Sequence, residues 1–401
     1  MITDIQSKKP VLAILIYSLG GGGAERVLST LLPYFHQEFE VHLVLLEDKN
    51  SYELQEPYTL LGKSQSSDCS LMKLLRIPMI ALQYRQFLQR IQADLSFSLL
   101  NRPNYMNLLA TAPLSIQTII SEHATPSMQY QGTGIGARIS RFLIRRLYPK
   151  ANHIVSVSLG VKKDLEQNFF IPHSRIQAIY NPFEIQQIEA MSQEESALLS
   201  RIQDRFSDRK MFIAIGRLDS GKNHHFLIES FKILKDSLSG IEMPLLLILG
   251  EGELEGKLKQ LIIELGLQND VFLGGFIKNP YPLIKNAVAL LSASLYEGFL
   301  NVLVESLALG IPPISSDCPN GPREILQSQK PPYLECEYEI TKYGVLFSLQ
   351  PTLLAEILLK VIQKDICFDS AKLKEYAKKF DAKQIADAYI QAFKNCLESH
   401  S

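Results

Sequence analysis

Along the chain, short runs rich in Leu, Ile and Val alternate with longer segments whose apolar residues recur at helical spacing. Six such runs fall in the first half, at 11–17, 41–46, 94–100, 118–122, 153–156 and 176–180. Six more follow at 211–215, 245–249, 271–273, 287–292, 313–316 and 344–347. Near-continuous aliphatic strands separated by helices mark parallel sheets covered by helices on both faces. The pattern predicts an α/β protein with two such series. Between them, NPFEIQQIEAMSQEESALLSRIQDRFSDRK opens on an Asn-Pro turn signal and becomes polar and charged. It divides the chain into a first domain at 1–183, a linker at 184–208 and a second domain at 209–382. The amphipathic stretch 383–401 could dock on either half and is assigned to the first. Two doubly wound, Rossmann-like domains facing one another would leave a central cleft at the carboxyl ends of their strands, where ligands bind in such sheets.

Length and composition sharpen this picture. A chain of 401 residues exceeds a typical single core. Hydrophobic content of 46% with 21% charged residues reads as an ordinary soluble globular protein. A formal net charge of −1 excludes a whole-protein field drawing the chain to nucleic acid or membrane, so any such attraction must be local. Five cysteines without a C-x-x-C pair imply reduced thiols in the cytoplasm, and neither a disulfide framework nor a zinc site. KKPVLAILIYSLGGGGAE superficially resembles a secretory signal, but it lacks an A-x-A-like site and runs into the helical AERVLSTLLPYF. A buried strand, a glycine loop and a helix explain the same residues. No stretch reaches the ~20 apolar residues of a membrane span, and the chain reads as cytoplasmic without a transmembrane anchor.

Three glycine loops invite nucleotide readings. In LGGGGAERVL, Gly20 and Gly22 fit G-x-G, but Glu25 occupies the third glycine position. In GEGELEG, the spacing of Gly250, Gly252 and Gly256 is one residue too long. GRLDSGKN, from Gly216 to Asn223, matches G-x-x-x-x-G-K yet ends in Asn223 where a magnesium-binding Ser or Thr belongs. What survives is physical: Arg217 and Lys222 lie at a strand's C-terminal end, where two cations could neutralise a diphosphate. Surface charges on a loop remain the plainer alternative.

In YEGFLNVLVESLALG, Glu297 and Glu305 stand with seven residues between them in a largely apolar run. A helix is expected to begin near Phe299–Asn301 and to end at Gly310 before Pro312. Glu297 then sits in the preceding loop, and Glu305 sits one turn inside, leaning back toward the opening. A nucleotide-sugar fits this arrangement, with phosphates at the helix N-terminus, ribose on Glu305 and sugar hydroxyls on Glu297. A glycosidase pair would need one carboxyl held protonated across the scissile bond, and such a helix is a poor place for it. A capping Glu297 and a structurally satisfied Glu305 also remain open.

Taken in order, GGGGAERVL, HIVSVSLGVKKDL, IYNPF, GRLDSGKNHHFLIESF, LLILGEGELEGKLKQL, YEGFLNVLVESLALGIPPISSD and GPREIL resemble the GT-B retaining glycosyltransferases of family 4. The resemblance covers nearly the whole chain, and DCPNGPREIL is particularly similar to bacterial enzymes that build lipid-linked or polysaccharide glycans. It implies transfer of a hexose or N-acetylhexosamine from a nucleotide diphosphate sugar, a UDP-sugar first among them, to a lipid-linked or polysaccharide acceptor. It further implies catalytic roles for Arg217 and Lys222 on the donor diphosphate, for Glu297 on the donor sugar and for His123 as the active-site histidine. Glu305, Gly216, Gly250 and the Phe299, Leu300 and Asn301 backbone would bind the donor, and Gly21 and Gly22 would line the acceptor side. The absence of D-x-D is consistent with a family that needs no metal or other cofactor. Gly221 and Leu300 depart from the family's usual Gln and Pro, which bears on donor identity.

GARISRFLIRRLYPKANH interleaves Arg138, Arg141, Arg145, Arg146 and Lys150 with Ile139, Phe142, Leu143 and Leu147. Such a basic amphipathic helix suits anionic lipid, and predicts peripheral binding at the inner-membrane surface without nucleic-acid binding. A solvated face on a packed helix is the alternative. Competing functions are a P-loop-like nucleotide hydrolase and a catalytically degenerate GT-B partner subunit.

Overall fold

The computed structural model describes residues 8–20, 22–50, 56–61, 76–206, 209–330 and 337–398. The chain divides into two compact units, Met1–Pro182 with Ala382–Ser401, and Phe183–Asp381.

The first unit is a seven-stranded sheet. Its strands are β1 (Val11–Ile16), β2 (Glu40–Leu45), β3 (Tyr58–Leu60), β4 (Leu95–Leu99), β5 (Gln117–Glu122), β6 (His153–Ser156) and β7 (Ile176–Ala178). They lie in the order β3-β2-β1-β4-β5-β6-β7, every neighbour parallel. The aliphatic runs form central strands because both faces are covered, and all six residues of β1 are buried. The helix Ala382–Glu398 packs here: Phe393 lies 5.0 Å from Phe97 and 5.2 Å from Phe35 between ring centroids. Lys394 Nζ meets Glu38 Oε2 at 2.6 Å at its rim.

The second unit holds β8 (Met211–Ile215), β9 (Leu245–Leu249), β10 (Val271–Gly275), β11 (Ala289–Ser292), β12 (Pro313–Ser316), β13 (Tyr338–Ile340) and β14 (Val345–Phe347). Their order is β10-β9-β8-β11-β12-β14-β13, and β13 alone among them runs antiparallel, against β14. Its core gathers Phe212, Phe231, Leu246, Ile248, Leu354 and Phe347.

Residues 184–208, expected as a linker, fold into this second unit where they are described. The helix Ile185–Met191 buries Ile185 and Ile188, Asn279 Nδ2 donates to Met191 O (2.9 Å), and Lys374 pairs with Glu189 at 2.9 Å. Ile202 is buried from the helix Ala197–Phe206. The polar residues that suggested a linker form the outer faces of these helices. Strands β3 and β13 had no counterpart in the sequence pattern; each is three residues at a sheet edge.

Candidate active site

In each sheet the strand order reverses beside the first strand, and ligands of doubly wound sheets bind at that point. In the second unit it lies between β8 and β11, so the loops leaving these strands, 216–223 and 293–300, run side by side. Leu295 N donates to Gly221 O (2.9 Å), and Lys222 Nζ meets Glu297 Oε1 at 2.5 Å. Two of the residues expected to act together are thus in direct contact, with side chains 23% and 14% exposed. Asp219 organises the rest of the loop: its Oδ1 accepts from Lys222 N (3.1 Å), and its Oδ2 lies 3.2 Å from Arg217 Nη2. Arg217 is 82% exposed, so its cation reaches solvent.

The glycines have separate tasks. A Cβ on Gly216 would stand 3.2 Å from the Lys222 stem, so Gly216 gives that side chain its path. Gly250 has φ +139°, and a Cβ there would fall 1.9 Å from Gly216 O. The glycine run after β9 therefore lets its loop press against the 216–223 loop: Gly216 N donates to Leu249 O (3.0 Å) and Leu218 N to Glu251 O (2.9 Å). Gly250 packs directly against the back of the Gly216 loop.

The helix after β11 spans Asn301–Ala308, with Leu300 at its N-cap. Phe299 and Leu300 are buried, the Phe299 ring packing 5.9 Å from Phe380. Their side chains are committed to the core, which leaves backbone as what this turn can offer a ligand. Glu305 is buried within the helix, 3.4 Å from Tyr281 Oη. The next loop closes in behind: Glu297 N donates to Pro319 O (3.4 Å), and Gly321, at φ +77°, has Leu300 N 3.1 Å from where a Cβ would be. Asp317 anchors this loop by pairing with Arg323 at 2.6 Å. Cys318 is buried there; burial first, then Glu297, pushes its thiol well above the ordinary range, which favours the neutral thiol. Burial, reinforced by Lys222, pushes His224 down to about 4 and keeps its ring neutral.

In the first unit, Gly21 lies outside the described residues. Gly22 is the N-cap of the helix Gly23–Glu38, and a Cβ there would fall 2.2 Å from Glu25 Oε2. The carboxylate that spoiled the dinucleotide pattern folds back over its own helix N-terminus, as the third residue of a capping box does. His123 follows β5 directly; its Nε2 shares a 2.9 Å hydrogen bond with Ser121 Oγ, and burial pushes its ring down to about 3. Beneath it is a residue the sequence reading did not single out. Glu122, 1% exposed, accepts from Tyr148 Oη (2.7 Å), Asn101 Nδ2 (2.9 Å) and Ala124 N (3.2 Å). A detectable signal was Asn101, Asn104 and Asn107 at three-residue spacing, one face of a helix aimed at the sheet.

The basic helix spans Ile135–Leu147. Arg138, Arg145 and Arg146 are exposed, with Ile135 (74%) and Phe142 (59%) beside them. Arg141 donates to Tyr130 O and Gly132 O, and Arg145 donates to Asn168 O (3.1 Å), so these two also tie down neighbouring backbone. Among the described residues no helix is long and apolar enough to cross a membrane. Nor does any group of three or more His, Cys, Asp or Glu there have metal-binding geometry.

Two family models match, "Glycosyltransferase Family 4" over residues 21–187 and "Glycosyl transferases group 1" over residues 196–380. The N-acetylgalactosamine-N,N'-diacetylbacillosaminyl-diphospho-undecaprenol 4-alpha-N-acetylgalactosaminyltransferase of Campylobacter jejuni is 38% identical over 94% of this chain and 97% of its own length. The chain belongs to the family 4 glycosyltransferases. A second C. jejuni protein, a GalNAc-alpha-(1->4)-GalNAc-alpha-(1->3)-diNAcBac-PP-undecaprenol alpha-1,4-N-acetyl-D-galactosaminyltransferase, is 28% identical over 79% of this glycosyltransferase and 82% of its own. The fold matches that of Anabaena HepE in complex with UDP, with a TM-score of 0.76 at 18% identity over 96% of this chain and 100% of that one. Both units are therefore the parallel α/β domains of a GT-B glycosyltransferase, and the nucleotide-hydrolase reading of GRLDSGKN falls with that assignment.

Proposed function

We propose that this glycosyltransferase moves a hexose or N-acetylhexosamine from a UDP-sugar to a lipid-linked or polysaccharide glycan, with retention of anomeric configuration. The observation that carries the reading is the Lys222–Glu297 pair at the switch point of the second sheet. An unliganded site that binds a charged, hydroxylated donor needs a cation and an acceptor held ready. Pairing keeps both desolvated groups compensated until the donor arrives. The diphosphate then draws Lys222 and the exposed Arg217, while Glu297 turns to sugar hydroxyls and Glu305 to the ribose. The C. jejuni relatives, whose names specify undecaprenol-linked acceptors, support the acceptor class.

In the transfer step the acceptor oxygen forms the new bond at the anomeric carbon on the face the leaving group vacates. The bond from that carbon to the diphosphate oxygen breaks, and its electron pair goes to the diphosphate. The acceptor's proton passes to a diphosphate oxygen. Lys222 and Arg217 stabilise the charge that grows there. His123, kept neutral by burial, contributes a hydrogen-bonding group on the acceptor side without a competing cation. The two cations, Lys222 and Arg217, would neutralise the phosphates. The exposed arginines and Phe142 would hold the first unit at the cytoplasmic face of a membrane carrying the acceptor.

Calorimetric titration with UDP-, GDP- and ADP-sugars tests the donor assignment, with UDP-sugar binding expected. Binding of none, or binding unchanged in the Arg217→Ala, Lys222→Ala double variant, would overturn it. Product anomericity by NMR decides retention.

A further inference from the structure

Glu122 is enclosed at the carboxyl end of β5, and its described hydrogen-bond partners are all donors. Tyr148 Oη and Asn101 Nδ2 supply Oε2 at 2.7 and 2.9 Å, and Ala124 N supplies Oε1 at 3.2 Å. The Tyr148 hydroxyl has little freedom to reverse, because it already accepts from Asn104 Nδ2 (3.2 Å) and Asn101 Nδ2 (3.3 Å). A carboxylate accepts at both oxygens, whereas the protonated acid must donate from one of them. A proton on Oε2 would face Tyr148 and Asn101, donor against donor. A proton on Oε1 would face the Ala124 amide. The buried side is rigid, fixed by Asn104 to Ser121 O (3.0 Å) and Ser98 Oγ (2.8 Å). The Ala124 side is partly exposed, so its amide can turn to water instead.

The backbone bears a cost for this arrangement. Leu100, a non-glycine residue, has φ +76° and ψ 152° immediately before Asn101. Such backbone is strained and persists where surrounding contacts impose it. It delivers Asn101 to Glu122.

We propose that Glu122 is a positioning residue: its carboxylate form holds the turn that carries His123, and its protonation releases that turn. The inference rests on the reading of His123 as an acceptor-side residue. Burial first, opposed by the Tyr148 and backbone hydrogen bonds, pushes Glu122 up to about 7, so both forms are populated near neutral pH. The other charged or titratable groups around it are Asp164, Tyr105, Tyr130, Tyr148 and His123, with Arg102 acting on Tyr130. Asp164 favours protonation. The buried phenols stay neutral, and His123 is uncharged throughout this range.

Hydrogen exchange of peptides spanning 121–130 tests this without donor or acceptor, from about pH 5.5 to about pH 8.5 after correction for intrinsic rates. Protection of the turn is expected to fall as pH drops through the midpoint. About a tenth of the carboxylate remains one unit below it, giving roughly a tenfold loss. Glu122→Gln places a permanent donor at the site, and its turn should stay unprotected at every pH. Tyr148→Phe removes a bond that favours the charged form, and should move the midpoint upward. Flat protection in the wild type, the same pH dependence in Glu122→Gln, or an unmoved midpoint in Tyr148→Phe would overturn the proposal. Given activity, kcat/KM should show the same acid limb in the wild type and none in Glu122→Gln. Loss of transfer with a normal exchange profile would instead fault the role given to His123.

Discussion

Lys222 Nζ and Glu297 Oε1 meet at 2.5 Å across two loops that leave different strands, although 74 residues lie between them in the chain. Neither group is deeply buried, but each is shielded enough that removing one leaves the other poorly compensated. Lys222→Ala should therefore cost more than a lost phosphate contact, lowering kcat/KM by about 10²–10³-fold. Glu297→Gln keeps the shape and frees Lys222; it should retain nucleotide binding while losing transfer. Parallel calorimetry with UDP and steady-state kinetics separate the two effects, and equal losses of UDP affinity in both variants would contradict the division of labour.

Gly250 gives a structural prediction. Its φ of +139° and the 1.9 Å approach of Gly216 O leave no place for a methyl group. Gly250→Ala should destabilise the second unit by about 2–4 kcal/mol in urea titrations. Gly256, where a Cβ would meet nothing, should accept alanine with no measurable loss.

The buried His224 should make the protein acid-sensitive. Its folded-state value near 4 lies below the ordinary value of about 6.5, so the unfolded chain binds more protons between the two. The stability it contributes is complete above about pH 6.5 and is lost as pH falls toward 4, about 3 kcal/mol at most. Glu122, with its raised value, acts in the opposite sense between 4.5 and about 7. The informative quantity is thus the difference in thermal midpoint between wild type and His224→Gln across this window, which should shrink as pH falls.

Membrane attachment should depend on part of the basic helix. Arg138 and Arg146 are exposed, and the Arg146 guanidinium lies 6.0 Å from the Phe142 ring centroid. Neutralising both should weaken binding to anionic vesicles by about 2 kcal/mol, roughly thirtyfold in flotation. Arg141→Gln should instead loosen the 130–132 turn that its side chain bonds. Equal flotation of wild type and the Arg138, Arg146 double variant would rule out this helix as the contact.

Much of this fold was legible because buried parallel strands leave an unbroken aliphatic signature. The six residues of β1 and the five of β9 are wholly buried, and both read directly. Strands β3 and β13, TyrThrLeu and TyrGluIle at sheet edges, carry too few apolar residues to register. The segment 184–208 misled because short amphipathic helices with one or two buried residues look like solvated chain. At the site, Glu297 and Lys222 could be named from motif order, but their contact is a tertiary fact. Glu122 was invisible for a related reason: a strand-end glutamate looks alike whether it points to solvent or into a cage of donors, and Tyr148 and Asn101 lie far from it in sequence.

The helix Ala382–Glu398 has a consequence for biosynthesis. Phe393 and Tyr389 fill the aromatic cluster around Phe35 and Phe97, so the sheet of the first unit lacks part of its core until residues 382–398 emerge. The second unit is continuous from Phe183 to Asp381 and has no such debt. Domains that are contiguous fold as they are made. Here the order of synthesis and the order of completion are reversed: the second unit can mature on the ribosome, while the first must wait for residues 382–398.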